Sequence, residues 1–144
     1  IDSLAARFTT LRIDGLDYRR RDTDAHARVS PDVAGELSRV GGVTTLDGFA
    51  DVLAHLASVH PSRYVRIVEG LSAVGLTNVV TFTNQTDALR FVAFVDRLYD
   101  AQVRVIADGT PLDQVFPDDM LAGGYRKKYL RAVSRLIALT TGTD

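Results

Sequence analysis

Apolar residues recur along this chain with two spacings, one typical of helices and one typical of strands. The helical spacing predicts helices over residues 31–41, 47–59, 63–71, 87–101 and 125–141. Alternation and β-branched runs predict strands over residues 8–13, 43–45, 79–83 and 103–107. Because the last two strands flank a helix, they are expected to be parallel. The pattern therefore predicts an α/β fold with a small, mostly parallel sheet flanked by helices.

Residues that favour helix ends set the boundaries between these elements. Ser30 is expected to cap a helix that starts at Pro31, and Thr45 or Asp47 to cap the next one. The segment His60-Pro61-Ser62 is expected to break that helix and to cap its successor, the helix predicted over residues 63–71. Residues 16–28 and 108–124 are predicted to be loops, the latter with a short turn near residues 112–116.

Length and composition exclude several classes of protein. The 144 residues suit one domain, and the absence of cysteine rules out disulfides and zinc–thiolate sites. No apolar run approaches the roughly 18–20 residues of a membrane span. The three histidines do not share metal-ligand spacing, so no metal site is predicted. The net charge of −1 argues against a domain that coats nucleic acid.

Charge is nevertheless concentrated in the last predicted helix. Residues 125–135 contain five cations and no acid, and Lys127, Arg131 and Arg135 share one helical face. Like charges four residues apart repel mildly, so an anion should face them. Three sources are open: a nucleotide phosphate, an acidic segment outside this chain, or the loop residues Asp113, Asp118 and Asp119.

The helix predicted over residues 87–101 has an apolar face and a charged face. On the charged face, Asp87 with Arg90 and Arg97 with Asp100 are spaced three residues apart. Such pairs are each worth a few tenths of a kcal/mol. The pattern is typical of a crossover helix with a solvated, ion-paired face.

Two motifs carry a family resemblance. The segment ALRF followed by VDRLYD and VRVIADG, together with YLRAVSRL, resembles the C-terminal part of the ZapE-type, AFG-like family of P-loop ATPases. The family pattern is approximately ARRFxxLIDxLYD, then V-K/R-L, then FxRTxSRL. The segment from Leu16 to Arg19 also resembles the family's D-Y-R segment. Leu89 and Ala132 depart from the pattern, and no phosphate-loop motif GxxxxGK[ST] occurs.

The resemblance implies a fold and an activity. Residues 1–144 would form a single domain, the C-terminal part of a P-loop AAA-like ATPase fold, cut from a longer chain. The intact protein would bind ATP and Mg²⁺ and hydrolyse ATP. This part alone would bind neither ATP nor Mg²⁺ and would not be catalytic, because the phosphate loop would belong to a missing N-terminal ATPase core.

The resemblance also implies site residues and partners. The candidate catalytic residues are Arg135, Arg131 and Arg90, in that order, as phosphate-sensing or intersubunit arginines. Energy from ATP would move or remodel a partner protein, in bacteria a cell-division protein such as FtsZ. A cytoplasmic location and a homo-oligomer would follow, with no nucleic acid and no membrane span.

Two other classes of function remain open on the sequence. A non-catalytic adaptor domain would dock its basic helix on an acidic protein surface, with or without nucleotide. A nucleic-acid-binding domain would use the basic run from Arg19 to Arg21 and the 126–135 cluster, and its binding would weaken steeply with salt.

Overall fold

The computed structural model describes residues 25–141. We number its regular elements in chain order: α1 Val33–Ser38, β1 Val43–Gly48, α2 Phe49–Ser58, α3 Tyr64–Val68, β2 Leu71–Val79, α4 Gln85–Asp100, β3 Arg104–Gly109, α5 Asp118–Leu121 and α6 Arg126–Thr141. Short 3₁₀ turns occupy Pro61–Arg63 and Leu112–Gln114. The predicted strand at residues 8–13, the D-Y-R segment and the basic run at residues 19–21 lie outside the described residues.

The three strands form one parallel sheet in the order β1-β2-β3. In its register, Gly75 of β2 lies between Leu46 of β1 and Ile106 of β3. A parallel sheet needs a crossover between successive strands, and the helices α2 and α4 with their flanking segments supply it. The predicted α/β fold with a parallel sheet flanked by helices is confirmed.

The two faces of the sheet are covered unequally. On one face, α2, α3, α4 and α6 pack over β2 and β3 and bury most of the core. Its centre is an aromatic cluster in which Phe91 lies 5.4 Å from Phe49 and 5.5 Å from Phe82, ring centroid to ring centroid. On the other face, α1 is the one helix of the described range that packs on the sheet, where its Val33 and Leu37 form a small cluster with Ala73 and Ile106.

Two strand predictions need correction. The strand predicted at residues 79–83 is wrong, because β2 spans Leu71–Val79 and residues 80–84 have no regular structure. Gly75 and the polar residues around it hide this strand in the sequence. Gly75 is required there, since a Cβ would lie 2.4 Å from the Leu37 side chain. The strand predicted at residues 43–45 continues to Gly48.

Several helix boundaries also differ from prediction. Asp32, not Ser30, caps α1, because its carboxylate accepts a hydrogen bond from the Gly35 amide at 3.0 Å. Neither Thr45 nor Asp47 caps α2, since both lie within β1. The helix predicted at residues 63–71 shortens to α3. His60 Nδ1 accepts a hydrogen bond from the Ser62 amide at 3.1 Å and so caps the 3₁₀ turn Pro61–Arg63, whereas α3 itself begins after Arg63 without a side-chain cap.

The helices α4 and α6 agree best with prediction. The α4 ion pairs Asp87–Arg90 and Arg97–Asp100 form as expected, at 3.6 and 3.0 Å. In α6, Tyr129 and Leu136 are fully buried as the period requires. Tyr125, where the helix was predicted to begin, precedes the first turn of α6 and is 41% exposed.

A segment that we call the strap, residues 26–30, runs along the outer edge of β3 and ties several elements together. The Ser30 amide donates to the Ala107 carbonyl at 2.7 Å. The Arg28 amide donates to Thr140 Oγ1 at 3.0 Å, and its guanidinium binds both carboxylate oxygens of Glu36 at 2.6 and 2.9 Å. Ser30 Oγ donates a further hydrogen bond to Glu36 at 2.6 Å.

This network makes Glu36 the clearest acid-sensitive group of the fold. The hydrogen bonds from Arg28 and then Ser30 lower the pKa of Glu36 from 4.5 to about 2. Its stabilising contribution is therefore complete above about pH 4.5 and is lost as the pH falls towards 2. Arg28 is 42% exposed, so solvent screens the pair. We expect Glu36→Gln to lower the free energy of unfolding by about 1–2 kcal/mol at pH 7.

Urea unfolding at pH 7, 5, 4 and 3 would test this prediction. The difference between the wild type and Glu36→Gln should shrink below about pH 4.5. Asp100→Asn is a suitable control, because Asp100 pairs with Arg97 on an exposed helix surface. A Glu36→Gln difference that stayed constant from pH 7 to pH 3 would contradict the assigned network.

Candidate functional site: the arginine pair on Asp96

Helix α4 presents the acidic half of the site. Asn84 caps the helix, since its Oδ1 accepts a hydrogen bond from the Asp87 amide at 2.8 Å. Phe91, Val95 and Leu98 bury the opposite side in the core. The cap and the buried stripe fix the rotation of α4 about its axis. Asp96 is consequently directed towards α6, with a side chain that is 19% exposed.

Helix α6 supplies two arginines to this one carboxylate. Arg135 Nη1 donates to Asp96 Oδ1 at 2.6 Å, and Arg131 Nη2 donates to Asp96 Oδ2 at 3.3 Å. The Arg135 guanidinium carbon also lies 4.7 Å from the centroid of the Tyr99 ring. A cation over an aromatic face is attracted by the ring, which holds Arg135 in place from a second side.

The two arginines differ in their exposure and in how many contacts hold them. Arg135 is 26% exposed, forms the shorter contact and rests on Tyr99. Arg131 is 50% exposed and forms only the longer contact. A guanidinium has five N–H donors, so Arg131 keeps most of its donors for another acceptor. One carboxylate between two guanidiniums also leaves a net positive charge at this place.

The anion that faces these arginines is therefore an acid that was not among the predicted sources. Of the acids expected from the loop, Asp113 is engaged elsewhere, with His26 at 2.8 Å and with the Ala27 amide at 2.9 Å. Asp118 and Asp119 lie in the first turn of α5 and form no ion pair with another residue of the range 25–141.

Arg90, the third candidate, is not brought into this pair. It contacts Asp87 at 3.6 Å in the first half of α4. Asp96 lies six residues further along the helix, a rise of about 9 Å. Arg90 instead lies near the buried hydroxyl of Tyr64. Burial raises the pKa of Tyr64, and the charge of Arg90 partly offsets this effect.

The remaining cations of α6 have weaker partners. Arg126 donates to the Leu121 carbonyl at 3.3 Å, and the Lys128 ammonium lies 5.6 Å from the centroid of the Tyr125 ring. Lys127 and Lys128 are exposed and form no ion pair within the part of the chain that the structure describes. The face of α6 that carries Arg131 therefore continues as a positively charged surface.

The rest of α6 is fixed by burial. Tyr129 is fully buried, and its ring stacks on Phe116 with centroids 4.8 Å apart. Its hydroxyl has no hydrogen-bond partner among the described side chains and backbone groups. Burial, followed by the neighbouring Tyr125, raises the pKa of Tyr129. The aromatic stack locks the helix register two residues before Arg131.

Two classes of site are not seen among residues 25–141. No group of three or more acidic or histidine side chains there could hold a metal ion. None of the helices in that range is both long enough and apolar enough to cross a bilayer.

Two residues of this site were missed by sequence reasoning. Asp96 and Tyr99 belong to the motif VDRLYD, whereas Arg131 and Arg135 belong to YLRAVSRL. The two motifs that carry the family resemblance therefore touch each other in space. Asp96 and Arg135 are 39 residues apart in the sequence, so no local pattern indicates their contact. The occurrence of both motifs in one family pattern was the signal that could have found the contact.

The fold and this arginine pair define an open, parallel α/β domain with a cationic helix beside the sheet. The AFG1-like ATPase family model matches residues 29–143, which is most of the chain. The chain therefore belongs to the AFG1-like ATPase family. No curated protein and no solved structure matches it.

Proposed function

We propose that this chain is the C-terminal half of a ZapE-like ATPase and that its Arg131–Asp96–Arg135 cluster serves the phosphates of ATP. An N-terminal core that carries the phosphate loop would bind the ATP and Mg²⁺. The observation that carries the proposal is that both arginines of the family motif converge on one carboxylate, with Arg131 half exposed.

The geometry supports a division of roles within the cluster. Arg135 is the anchoring residue, because Asp96 and Tyr99 hold it on two sides. Arg131 is the residue that would reach a γ-phosphate, since planar guanidinium groups suit phosphate oxygens. In ATP hydrolysis such an arginine stabilises the charge on the transferred phosphoryl group. Arg90 lies on the first half of α4, apart from this cluster, and would act at a separate place there.

The same proposal extends to the whole protein. Hydrolysis would be coupled to moving or remodelling a partner protein, in the bacterial cytoplasm a cell-division protein such as FtsZ. A homo-oligomer would let Arg131 act on a nucleotide held by a neighbouring subunit. The family membership supports the ATPase; the partner, the location and the oligomer are part of the proposal.

An ATPase assay on two proteins would test the proposal. The first is the longer protein, which includes the residues encoded upstream of Ile1, and it should hydrolyse ATP in the presence of Mg²⁺. The 144-residue chain alone should show no turnover above a buffer blank. If the upstream sequence contains no phosphate loop within about 200 residues, the ATPase half of the proposal falls. Turnover by the 144-residue chain would contradict it equally.

The second candidate is a non-catalytic adaptor domain. Lys127 and Lys128 favour it, because both are exposed, form no ion pair with any residue of the range 25–141 and extend the cationic surface beyond the arginine pair. An adaptor would bind its partner equally well with and without nucleotide. Pull-downs from a lysate with ATP, with ADP and with no nucleotide distinguish the two functions, since an ATP-driven remodeller should change its captured partner with the nucleotide.

A further inference from the structure

Within residues 25–141, no strand pairs with the outer edge of β1. No residue of Val43–Gly48 is buried, and β2 is the only strand within residues 25–141 that pairs with it. Val43 is 60% exposed and Leu46 is 49% exposed. An edge strand presents unpaired N–H and C=O groups on which another strand can form. The opposite edge differs, because the strap hydrogen-bonds to β3 there.

An apolar cavity lies next to this edge. It has a volume of about 120 Å³, similar to cavities that hold a benzene-sized group. Its walls are apolar side chains of α2, α3, β2 and α4, chiefly Val52, Ile67, Leu71, Val74 and Phe94. Thr45 and Asp47 of β1 also line it. These two residues alternate along the strand, so the cavity lies on the sheet face that they share.

The cavity carries one uncompensated charge at its rim. Asp47 is half buried, and its carboxylate forms no hydrogen bond or ion pair with another residue in the part of the chain described. Partial burial of an unpaired carboxylate is unfavourable. A cation placed opposite Asp47 would relieve that cost. The exposed His55 is the other titratable group that lines the cavity.

We propose that the β1 edge binds an extended segment of a partner polypeptide by strand addition. The segment places an aliphatic side chain in the cavity and a lysine or arginine, two residues away on the same face, against Asp47. Backbone pairing supplies affinity and the two side chains supply specificity, as in other cases of strand addition. This site is separate from the arginine pair and needs no nucleotide.

Charge identifies the occupant as a partner and not a second copy of β1. The strand reads VTTLDG and contains no cation. A second β1 edge would therefore supply no counter-charge, and pairing of the two edges would leave both Asp47 carboxylates uncompensated.

Fluorescence anisotropy with two short peptides would test the site on the 144-residue chain. The probe is a fluorescein-labelled Thr-Thr-Leu-Thr-Lys-Thr peptide, in which leucine and lysine share one face of a strand. The control, Thr-Thr-Leu-Lys-Thr-Thr, has the same composition but puts them on opposite faces. We expect the probe to bind about tenfold more tightly than the control.

Backbone pairing is tested by N-methylation of the probe, with no change to the protein. Methylation of one alternate set of amides should abolish binding, and methylation of the other set should leave it unchanged, because only one edge of the peptide faces β1. If both methylated peptides bind as the parent does, or neither binds, strand addition is wrong.

Protein variants test the side-chain contacts. Val52→Phe should fill the cavity and weaken binding about tenfold. Asp47→Asn should weaken the lysine probe about threefold and leave a glutamine-substituted probe unchanged. Asp119→Asn, on the exposed surface of α5, is the matched control.

Equal effects of the two Asp→Asn variants would overturn the assignment, as would probe and control peptides of equal affinity. Concentration-dependent protection of β1 amides without peptide would overturn it in favour of a second copy. If Val52→Phe unfolds the chain, the N-methylation test on the wild type still decides.

Discussion

Alanine at Arg131 is expected to lower the ATP turnover of the intact ATPase by about 100-fold or more, with little effect on folding. The reason is that an arginine facing the transferred phosphoryl group stabilises charge that develops only in the transition state. Arg131 is 50% exposed and contacts Asp96 at 3.3 Å. Loss of such an exposed ion pair costs the fold about 0.2–1 kcal/mol. Turnover rate and urea unfolding, measured on the same preparation, separate the two effects.

Alanine at Arg135 is expected to lower both the ATP turnover and the stability of the domain. Arg135 is 26% exposed, binds Asp96 at 2.6 Å and rests on Tyr99. Its removal should destabilise the domain by about 1–2 kcal/mol. It should also slow turnover more than this loss of stability explains, because Arg131 would lose the neighbour that shares its carboxylate. Asp96→Asn should reproduce the loss of turnover in part, since it releases both arginines.

The control for these variants is Arg97→Ala on the same helix as Asp96. Arg97 pairs with Asp100 on a surface that is 58% exposed at the carboxylate, so its removal should change neither turnover nor stability measurably. Unchanged turnover in both Arg131→Ala and Arg135→Ala would remove the phosphate-sensing role. The place of both arginines in the motif YLRAVSRL would then be explained by the contact between α4 and α6 alone.

The contact between α4 and α6 also shows what the sequence could and could not predict. Periodicity located both helices and their ion-paired positions, because those depend on residues three or four apart. Periodicity could not identify the partner of Arg131 and Arg135. Asp96 is 39 residues from Arg135, and only the packing of the two helices decides that it, and not Asp113, lies opposite.

The sheet shows the same limit in another form. The run from Val79 to Thr83 has the β-branched composition of a strand, yet β2 ends at Val79. The true strand contains Gly75 and Asn78, which weaken its local signal. It forms nevertheless because β1 and β3 pair with it on both sides and because Gly75 lets α1 approach. Tertiary contacts outweigh local propensity at this central strand.

The end of β3 yields the second large effect, which concerns stability. Gly109→Ala is expected to lower the free energy of unfolding by about 3 kcal/mol. Gly109 has a φ of +90°, and a Cβ there would lie 2.6 Å from both the backbone N and O of Val79. Those atoms are fixed by the sheet, and the Thr110 amide donates to the Val79 carbonyl at 2.9 Å. The backbone must therefore move.

Two other glycines separate the causes of this effect. Gly70 has a φ of +77° with no atom within 4 Å of a Cβ, so Gly70→Ala measures the cost of the backbone conformation alone, about 1 kcal/mol. Gly41 has neither feature, and Gly41→Ala should be close to neutral. Urea unfolding should therefore rank the three variants Gly109, Gly70, Gly41 from most to least destabilised. If Gly109→Ala were no worse than Gly70→Ala, the close approach of β2 and β3 at this point would be wrong.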